Sequence, residues 1–422
     1  MYQTENWKDV RRLWSVGTPR RLGVSSTVLF LGLTSLFTDV SSEMVSTILP
    51  MYLVLSLQLS PLQFGVVDGL YQGVAAFVRV CGGFAADRWH RHREVAGAGY
   101  GLSAICKLGL LAVGGAWIAI AAVIVADRIG KGIRTAPRDA MISLSTPRSE
   151  LATAFGVHRA LDTAGAMIGP LVAFGLLAAV PGGFDVIFVT SFCVALVGLG
   201  VLVLFVRSPR PEGVAESPPY SFRAVVGLLV APRFRMLVIA GAGLSLATIS
   251  DGFVYLTLQR RLDLNTGLFP LLYVATALVY LVLAVPVGRL ADRVGRVPVF
   301  LGGYAVLLGV YATLLLPAAG VPMLIGCLVL LGVSAAATDG VLMAVTSSML
   351  PDHLRASGLA MVTTATSLAR LLASVLFGVL WTVGGVELAV TMFLTGLFVA
   401  IGLSWIGLGR AEAAAIDEPT TA

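Results

Sequence analysis

Asp39 and Glu43 stand four residues apart in a stretch, residues 24–55, that is otherwise uncharged. At helical spacing both carboxylates share one face. Residues 117–138 carry mostly the opposite charge. There Asp127, Arg128, Lys131, Arg134 and Arg138 fall within roughly 120° of one another at ~100° per residue. His158, Arg159 and Asp162 again share a face in residues 151–179, and Asp68, Arg79, Lys107, Asp251, Asp339 and Arg370 sit singly in other apolar stretches. A buried carboxylate binds and releases a proton as its solvation and its distance to an arginine change, so this set can do proton-coupling chemistry. It can also form static ion pairs that fix helix packing. The static reading is the one expected for Arg79, Lys107 and Arg370, while His158 suits a proton shuttle or a packing contact.

The elements that position these charges are membrane helices. Of the 422 residues 57% are hydrophobic and 12% charged, with a mean hydropathy of +0.90, and no water-facing surface can be assembled from such a chain. Runs of ~20 apolar residues are long enough to cross a hydrocarbon core. Twelve spans are expected at 24–55, 62–85, 95–115, 117–138, 151–179, 184–206, 234–258, 268–290, 297–317, 321–348, 356–382 and 386–408. A charge at mid-membrane costs ~2.5–3.5 kcal/mol unless it faces a cavity or a partner, which makes the embedded set above the functional candidates.

Arginines and lysines gather in the N-terminal segment (Lys8, Arg11, Arg12, Arg20, Arg21) and in alternate loops, with only Arg260 and Arg261 breaking the pattern. The positive-inside bias then places both termini in the cytoplasm. It also accounts for the net charge of +6 and leaves no basic surface for nucleic acid. The first span follows some twenty residues rich in charge and is followed by eleven more, so it is not expected to be a cleaved signal. Arg outnumbers Lys 26 to 3, a composition that suggests a GC-rich bacterium and hence its inner membrane. Cys81, Cys106, Cys193 and Cys327 are isolated in apolar spans, with no disulfide or zinc spacing.

Two segments repeat: Gly83-Phe-Ala-Ala-Asp-Arg-Trp-His-Arg91 and Gly288-Arg-Leu-Ala-Asp-Arg-Val-Gly-Arg296, 205 residues apart. Asp39 matches Asp251 and Asp127 matches Asp339, both at 212, and Pro147 matches Pro351 at 204. The chain is therefore expected to hold two six-span halves, 1–206 and 234–409. A Pro- and Ser-rich cytoplasmic linker, 207–233, joins them, and a polar tail, 410–422, is expected to be disordered. The segment from Phe222 to Arg235 mixes apolar and basic residues, as a surface-lying stretch does.

With these motifs the chain resembles the major facilitator superfamily, and within it bacterial proton-coupled efflux members. The loops at 83 and 288 match that family's G-x-x-x-D-R-x-G-R signature, with His90 in place of one glycine and Gly295 keeping it. Arg128-Ile-Gly-Lys131-Gly132 resembles its R-x-x-x-G element, and Gly165-Ala-Met-Ile-Gly169-Pro170 its G-x-x-x-G-P antiporter element. The resemblance implies an all-α membrane fold of twelve transmembrane helices in two pseudo-symmetric halves, with spans 1, 4, 7 and 10 lining a central cavity. Asp39, Glu43, Arg128 and Asp162 are then expected to couple protons, and Lys131, Arg134, Arg159, Asp251 and Asp339 to meet substrate. Gly83, Asp87, Arg88 and Arg91 would form one cytoplasmic latch, and Gly288, Asp292, Arg293 and Arg296 the other. Gly165, Gly169 and Pro170 would pack and bend span 5.

The expected function is secondary active transport, by proton-coupled antiport or efflux of a small organic solute or drug. An anionic or phosphorylated metabolite fits the basic stripe. A divalent ion held by Asp39, Glu43 and Asp251 is a third possibility. There is no nucleotide loop, H-E-x-x-H or G-x-S-x-G, so no enzyme and no cofactor is expected. The partners are substrate, protons and the bilayer, with the chain acting as a monomer.

Overall fold

The computed structural model describes residues 25–89, 91–147, 150–206, 227–317, 320–350 and 354–416, with side chains described in these segments except at 77, 79–89, 152, 356 and 409–416. Regular structure among the described residues is helical throughout. Span 1 runs Ser26–Met51 and widens into a π turn at Tyr52–Ser56. Spans 2 to 6 are Pro61–Trp89, His92–Ala112, Trp117–Leu144, Leu151–Ala179 and Phe184–Phe205. In the second half, Phe269–Val294, Arg296–Leu315 and Val321–Ser348 form spans 8, 9 and 10. The last run, Arg355–Ile416, is two helices joined at Gly385, whose φ of 80° and ψ of 172° are non-helical. Only glycine takes that backbone without strain, and spans 11 and 12 divide there. The final helix continues past the 409 boundary expected from sequence.

Span 7 differs from expectation. Instead of one helix over 234–258 it is two, Pro232–Leu246 and Asp251–Leu262. Tyr311 holds the break: its hydroxyl accepts from the Ile249 amide at 2.7 Å and donates to the Ala247 carbonyl at 3.2 Å. These bonds replace part of the helical pairing lost at mid-membrane, where unsatisfied backbone is costly.

Nine helices among the described residues are long and apolar enough to cross a bilayer, and the run holding spans 11 and 12 counts as one of them. Spans 2 and 4 fall outside that set; they carry Asp68 and the basic stripe. Outward faces present Leu204, Val282, Phe398 and Leu403, 63–76% exposed, as lipid-facing surfaces require.

Within the first half span 1 packs on spans 5 and 6, and span 4 on spans 2 and 3; in the second, span 10 packs on spans 8 and 9. The halves meet where span 2 lies on span 11 and span 5 on span 8. Gly65, Gly69 and Gly73 make the first contact close. A methyl carbon added at Gly69 would come within 2.7 Å of the Leu371 carbonyl oxygen, and one at Gly378 within 2.6 Å of that of Pro61. Small residues at such a seam let backbones approach directly.

Candidate functional site

A cavity of about 540 Å³ lies between the halves. Its far end, away from the start of span 1, is closed by aromatic rings. Phe64 and Phe253 are 4.7 Å apart, Phe253 and Phe377 4.7 Å, and Phe377 and Trp381 5.8 Å. The Arg260 guanidinium sits 5.3 Å from the Trp381 ring, which gives one of the two pattern-breaking arginines a place in the closure.

The first-half wall carries Glu43, Tyr71, Arg128 and Lys131. Arg128 is fixed from behind. Asp127 accepts from its Nε at 3.0 Å and from its Nη2, and Lys107 Nζ reaches the other Asp127 oxygen at 2.7 Å. On the cavity side the Tyr71 ring lies 3.8 Å from the guanidinium carbon. Asp127 therefore holds two cations, Lys107 and Arg128, inside the membrane. Replacing Asp127 with Asn should leave Lys107 and Arg128 uncompensated and destabilise the protein by about 3–5 kcal/mol, seen as a lower midpoint of thermal unfolding in detergent. The double variant Asp127→Asn, Lys107→Met should recover part of that loss. Glu43 accepts from Ser46 Oγ at 2.6 Å.

The second-half wall is acidic. Asp251, in the first turn after the break in span 7, opens onto the cavity with Thr248 and Ile249. Asp339 pairs with Arg370 at 3.3 Å, and both line the cavity. Arg370 Nε is buried without a hydrogen-bond partner. Asp68 accepts from Ser374 Oγ at 2.6 Å and from Gln72 Nε2 at 3.2 Å. The Ser374 bond ties the two halves together.

Four of the expected residues do not line this cavity. Asp39 faces span 5 instead, beside Asp162, and two carboxyls sit side by side at low cost only with a shared proton or flanking cations. Arg134 Nη2 is 3.9 Å from Asp39, and Arg138 Nη1 is 3.9 Å from Asp162. Arg134 also lies 4.6 Å from the Tyr100 ring centre. Arg159, with a 79% exposed side chain, reaches Asp162 at 3.7 Å from outside. Ser35 links His158 at 3.0 Å and Arg138 at 3.3 Å to the same cluster. The proton-coupling candidates thus divide: Glu43 and Arg128 in the cavity, Asp39 and Asp162 behind it.

The G-x-x-x-G-P element explains how Asp39 and Glu43 are held. A methyl carbon at Gly165 would meet the Leu36 carbonyl oxygen at 2.5 Å and Asp39 Cβ at 3.1 Å; at Gly169 it would meet Glu43 Cβ at 2.7 Å. The two glycines seat the acidic face of span 1 against span 5. Gly132, in the span 4 element, makes the same kind of approach to Val78 of span 2.

Of the first repeated loop, the side chains of Gly83, Asp87 and Arg88, and the whole of His90, lie outside the described residues. Arg91 is exposed and 4.0 Å from Glu94. In the second copy Arg296 bonds Asp292 at 3.0 Å and the Ala344 carbonyl at 3.2 Å, so these contacts stay within one half and fasten the start of span 9 to the end of span 10. Asp292 and Arg293 are exposed beside this tie, and Gly288 stands in open space.

Asp68, bonded across the seam, and the break in span 7 do not follow from helical spacing. The signal for the break was present in Ser250-Asp251-Gly252, a helix-start pattern inside an apolar run.

A bundle of membrane helices in two repeated halves, with a charged cavity at their interface and one end sealed, defines a membrane transporter of the secondary type. The comparisons agree: the family model described as Major Facilitator Superfamily matches residues 31–275 and 253–420, and the chain belongs to that superfamily, whose members are transporters and not enzymes. An uncharacterised MFS-type transporter of Methanocaldococcus jannaschii is 31% identical over 271 residues, 63% of this chain and 66% of that protein. An uncharacterised protein of Mycobacterium tuberculosis is 35% identical over 211 residues, 49% of each chain. The chain thus spans about two thirds and half of these relatives. Among solved structures, a mutant of the nucleoside transporter NupG superposes with a TM-score of 0.74 at 15% identity, covering 92% of this chain and 99% of that one. A mutant of the peptide transporter POT gives 0.76 at 16%, covering 96% and 98%. A bacterial homologue of the lysosomal transporter Spinster, inward-facing and occupied, gives 0.71 at 14%, covering 94% and 98%. These likenesses establish the fold.

Proposed function

We propose that the protein exports a small organic solute in exchange for protons, with the Asp39–Asp162 pair as the proton site and the central cavity as the solute site. The observation that carries this reading is the placement of Asp39 next to Asp162, one helical turn along span 1 from the cavity-lining Glu43. Protonation of the pair changes its attraction to Arg134 and Arg138, and so how span 1 seats on span 5. Lys131 and Asp139 add charge to the surroundings of the pair, as do Arg159 and His158. Span 1 transmits the change to Glu43, and from there to a cavity whose far end opens as the near end closes.

In this reading residues 1–206 and 234–409 are the two moving halves and the chain acts as a monomer. The bilayer is a bacterial cytoplasmic membrane with both termini inside, as the arginine distribution supports. The loops around Asp87 and Arg88 and around Asp292 and Arg293 act as latches on the cytoplasmic side. A metabolite with only negative charge is disfavoured by Asp251 and Asp339 on the second-half wall and by Asp68 of span 2. The divalent-ion alternative is disfavoured because Asp39 does not line the cavity.

Everted vesicles holding a preset pH gradient test the proposal. Addition of an exported solute should collapse the gradient, and Arg128→Ala should abolish the response. Solute movement that proceeds with no proton movement would overturn it.

A further inference from the structure

Most charges that line the cavity already have a partner within the protein. Arg128 is satisfied by Asp127, Asp339 by Arg370, Asp68 by Ser374 and Gln72, and Glu43 by Ser46. Two are left over. Among the described residues, Lys131 on the first-half wall and Asp251 on the second-half wall have neither an opposite charge at ion-pair distance nor the side-chain hydrogen bond that Glu43 and Asp68 have. Each has charges of both signs around it, none of the opposite sign within ion-pair distance. Lys131 has Arg128 and Arg134 near it, with Asp39 behind the wall and Glu43 on it as the counter-charges. Asp251 has Asp339 and Asp68 near it, with Arg370 engaged by Asp339. An unpaired cation on one half and an unpaired anion on the other face the same space, and each is costly at membrane depth until something pairs with it.

We infer that the solute is a zwitterion whose anionic group pairs with Lys131 and whose cationic group pairs with Asp251. Such a molecule neutralises both leftover charges at once and bridges the two halves. A cation alone leaves Lys131 unpaired, and an anion alone leaves Asp251 unpaired. The inference rests on the cavity being the solute site of a transporter. It adds that binding a zwitterion pulls the walls together, since the two counter-charges belong to different halves.

The test uses the purified full chain and a matched panel: dialanine and ω-amino carboxylates of increasing length, each with its N-acetyl and methyl-ester derivative. Binding is read by thermal shift and titration, transport by counterflow in proteoliposomes. At least one zwitterion should bind about tenfold or more tighter than both of its blocked forms, as loss of a charge-assisted contact implies. Asp251→Asn should remove the penalty for N-acetylation while keeping the penalty for esterification, and Lys131→Gln should do the reverse. Each comparison is made within one variant, and Asp251→Glu and Lys131→Arg serve where the neutral variant does not fold. Blocked forms that bind as well as the zwitterions, or no binding by any member of the panel, would overturn the inference. Zwitterion binding without counterflow would uphold the inference and sink the transporter reading. Counterflow of singly charged solutes alone would do the opposite.

Discussion

Asp39→Asn should reduce solute-driven proton movement to background while leaving solute–solute exchange in proteoliposomes close to that of the unaltered protein. The substitution keeps the shape of the side chain in its seat against span 5, where Gly165 allows Asp39 Cβ to pack closely, but removes the group that titrates. Asp162 then has no acidic neighbour to share a proton with, and its attraction to Arg138, 3.9 Å away, no longer varies with a proton on its partner. Exchange survives because Asp39 does not line the cavity. Asp39→Glu, one methylene longer in a tight seat, should recover proton movement in part. Loss of both activities in Asp39→Asn, with the fold intact, would mean that this cluster is structural. Dissipation of the gradient by Asp39→Asn at the ordinary rate would place the proton site elsewhere, with Glu43 the next candidate.

The second large effect is expected at the seam between the halves. Gly69→Leu puts a side chain where a single carbon already meets the Leu371 carbonyl oxygen at 2.7 Å. A backbone atom cannot step aside as a side chain can, so spans 2 and 11 must part. Overpacking of this kind costs about 1–3 kcal/mol. It falls only on the conformation in which the seam is closed, so the equilibrium should move by on the order of 5–150-fold towards the state open at the far end. Transport should drop by a similar factor, because a carrier held in one state cannot cycle. Gly243, beside which a methyl carbon meets nothing within 4 Å, provides the control: Gly243→Leu should have little effect. Equal loss in both variants would indicate general damage to the bundle.

How much of this was legible in the sequence depends on the range of the interaction. The two halves could be read because Asp39 and Asp251, or Asp127 and Asp339, repeat at one offset, and membrane spans show as apolar runs. Glu43, Arg128, Lys131, Asp251 and Asp339 line the cavity, and it is the family resemblance, not the spacing, that implies a cavity between these spans. Asp39 was not separable from Glu43: residues four apart share a face, and only the packing of Gly165 and Gly169 shows that one end of the face meets span 5 and the other the cavity. Arg134 and Arg159 shared the basic stripe and its neighbouring face in projection, but Arg134 turns to Asp39 and Tyr100, and Arg159 points outward. The partner of Arg370, Asp339, lies 31 residues away on another span, a relation that helical spacing does not encode. The break in span 7 depends on Tyr311, two spans distant, and its hydroxyl could not be assigned to that duty from sequence.

The claim that a proton site in the first half drives the two halves about a shared cavity is open to one direct measurement. After replacement of the four native cysteines, spin labels at Ser56 and Val383, both exposed and on opposite halves at the far face, report the opening of that face by double electron–electron resonance. Membrane-embedded protein should show a short and a long distance, with their ratio moved by pH and by a bound zwitterion. In Asp39→Asn the ratio should respond to the zwitterion but no longer to pH. A single distance indifferent to both, or a pH response that persists unchanged in Asp39→Asn, would contradict the claim.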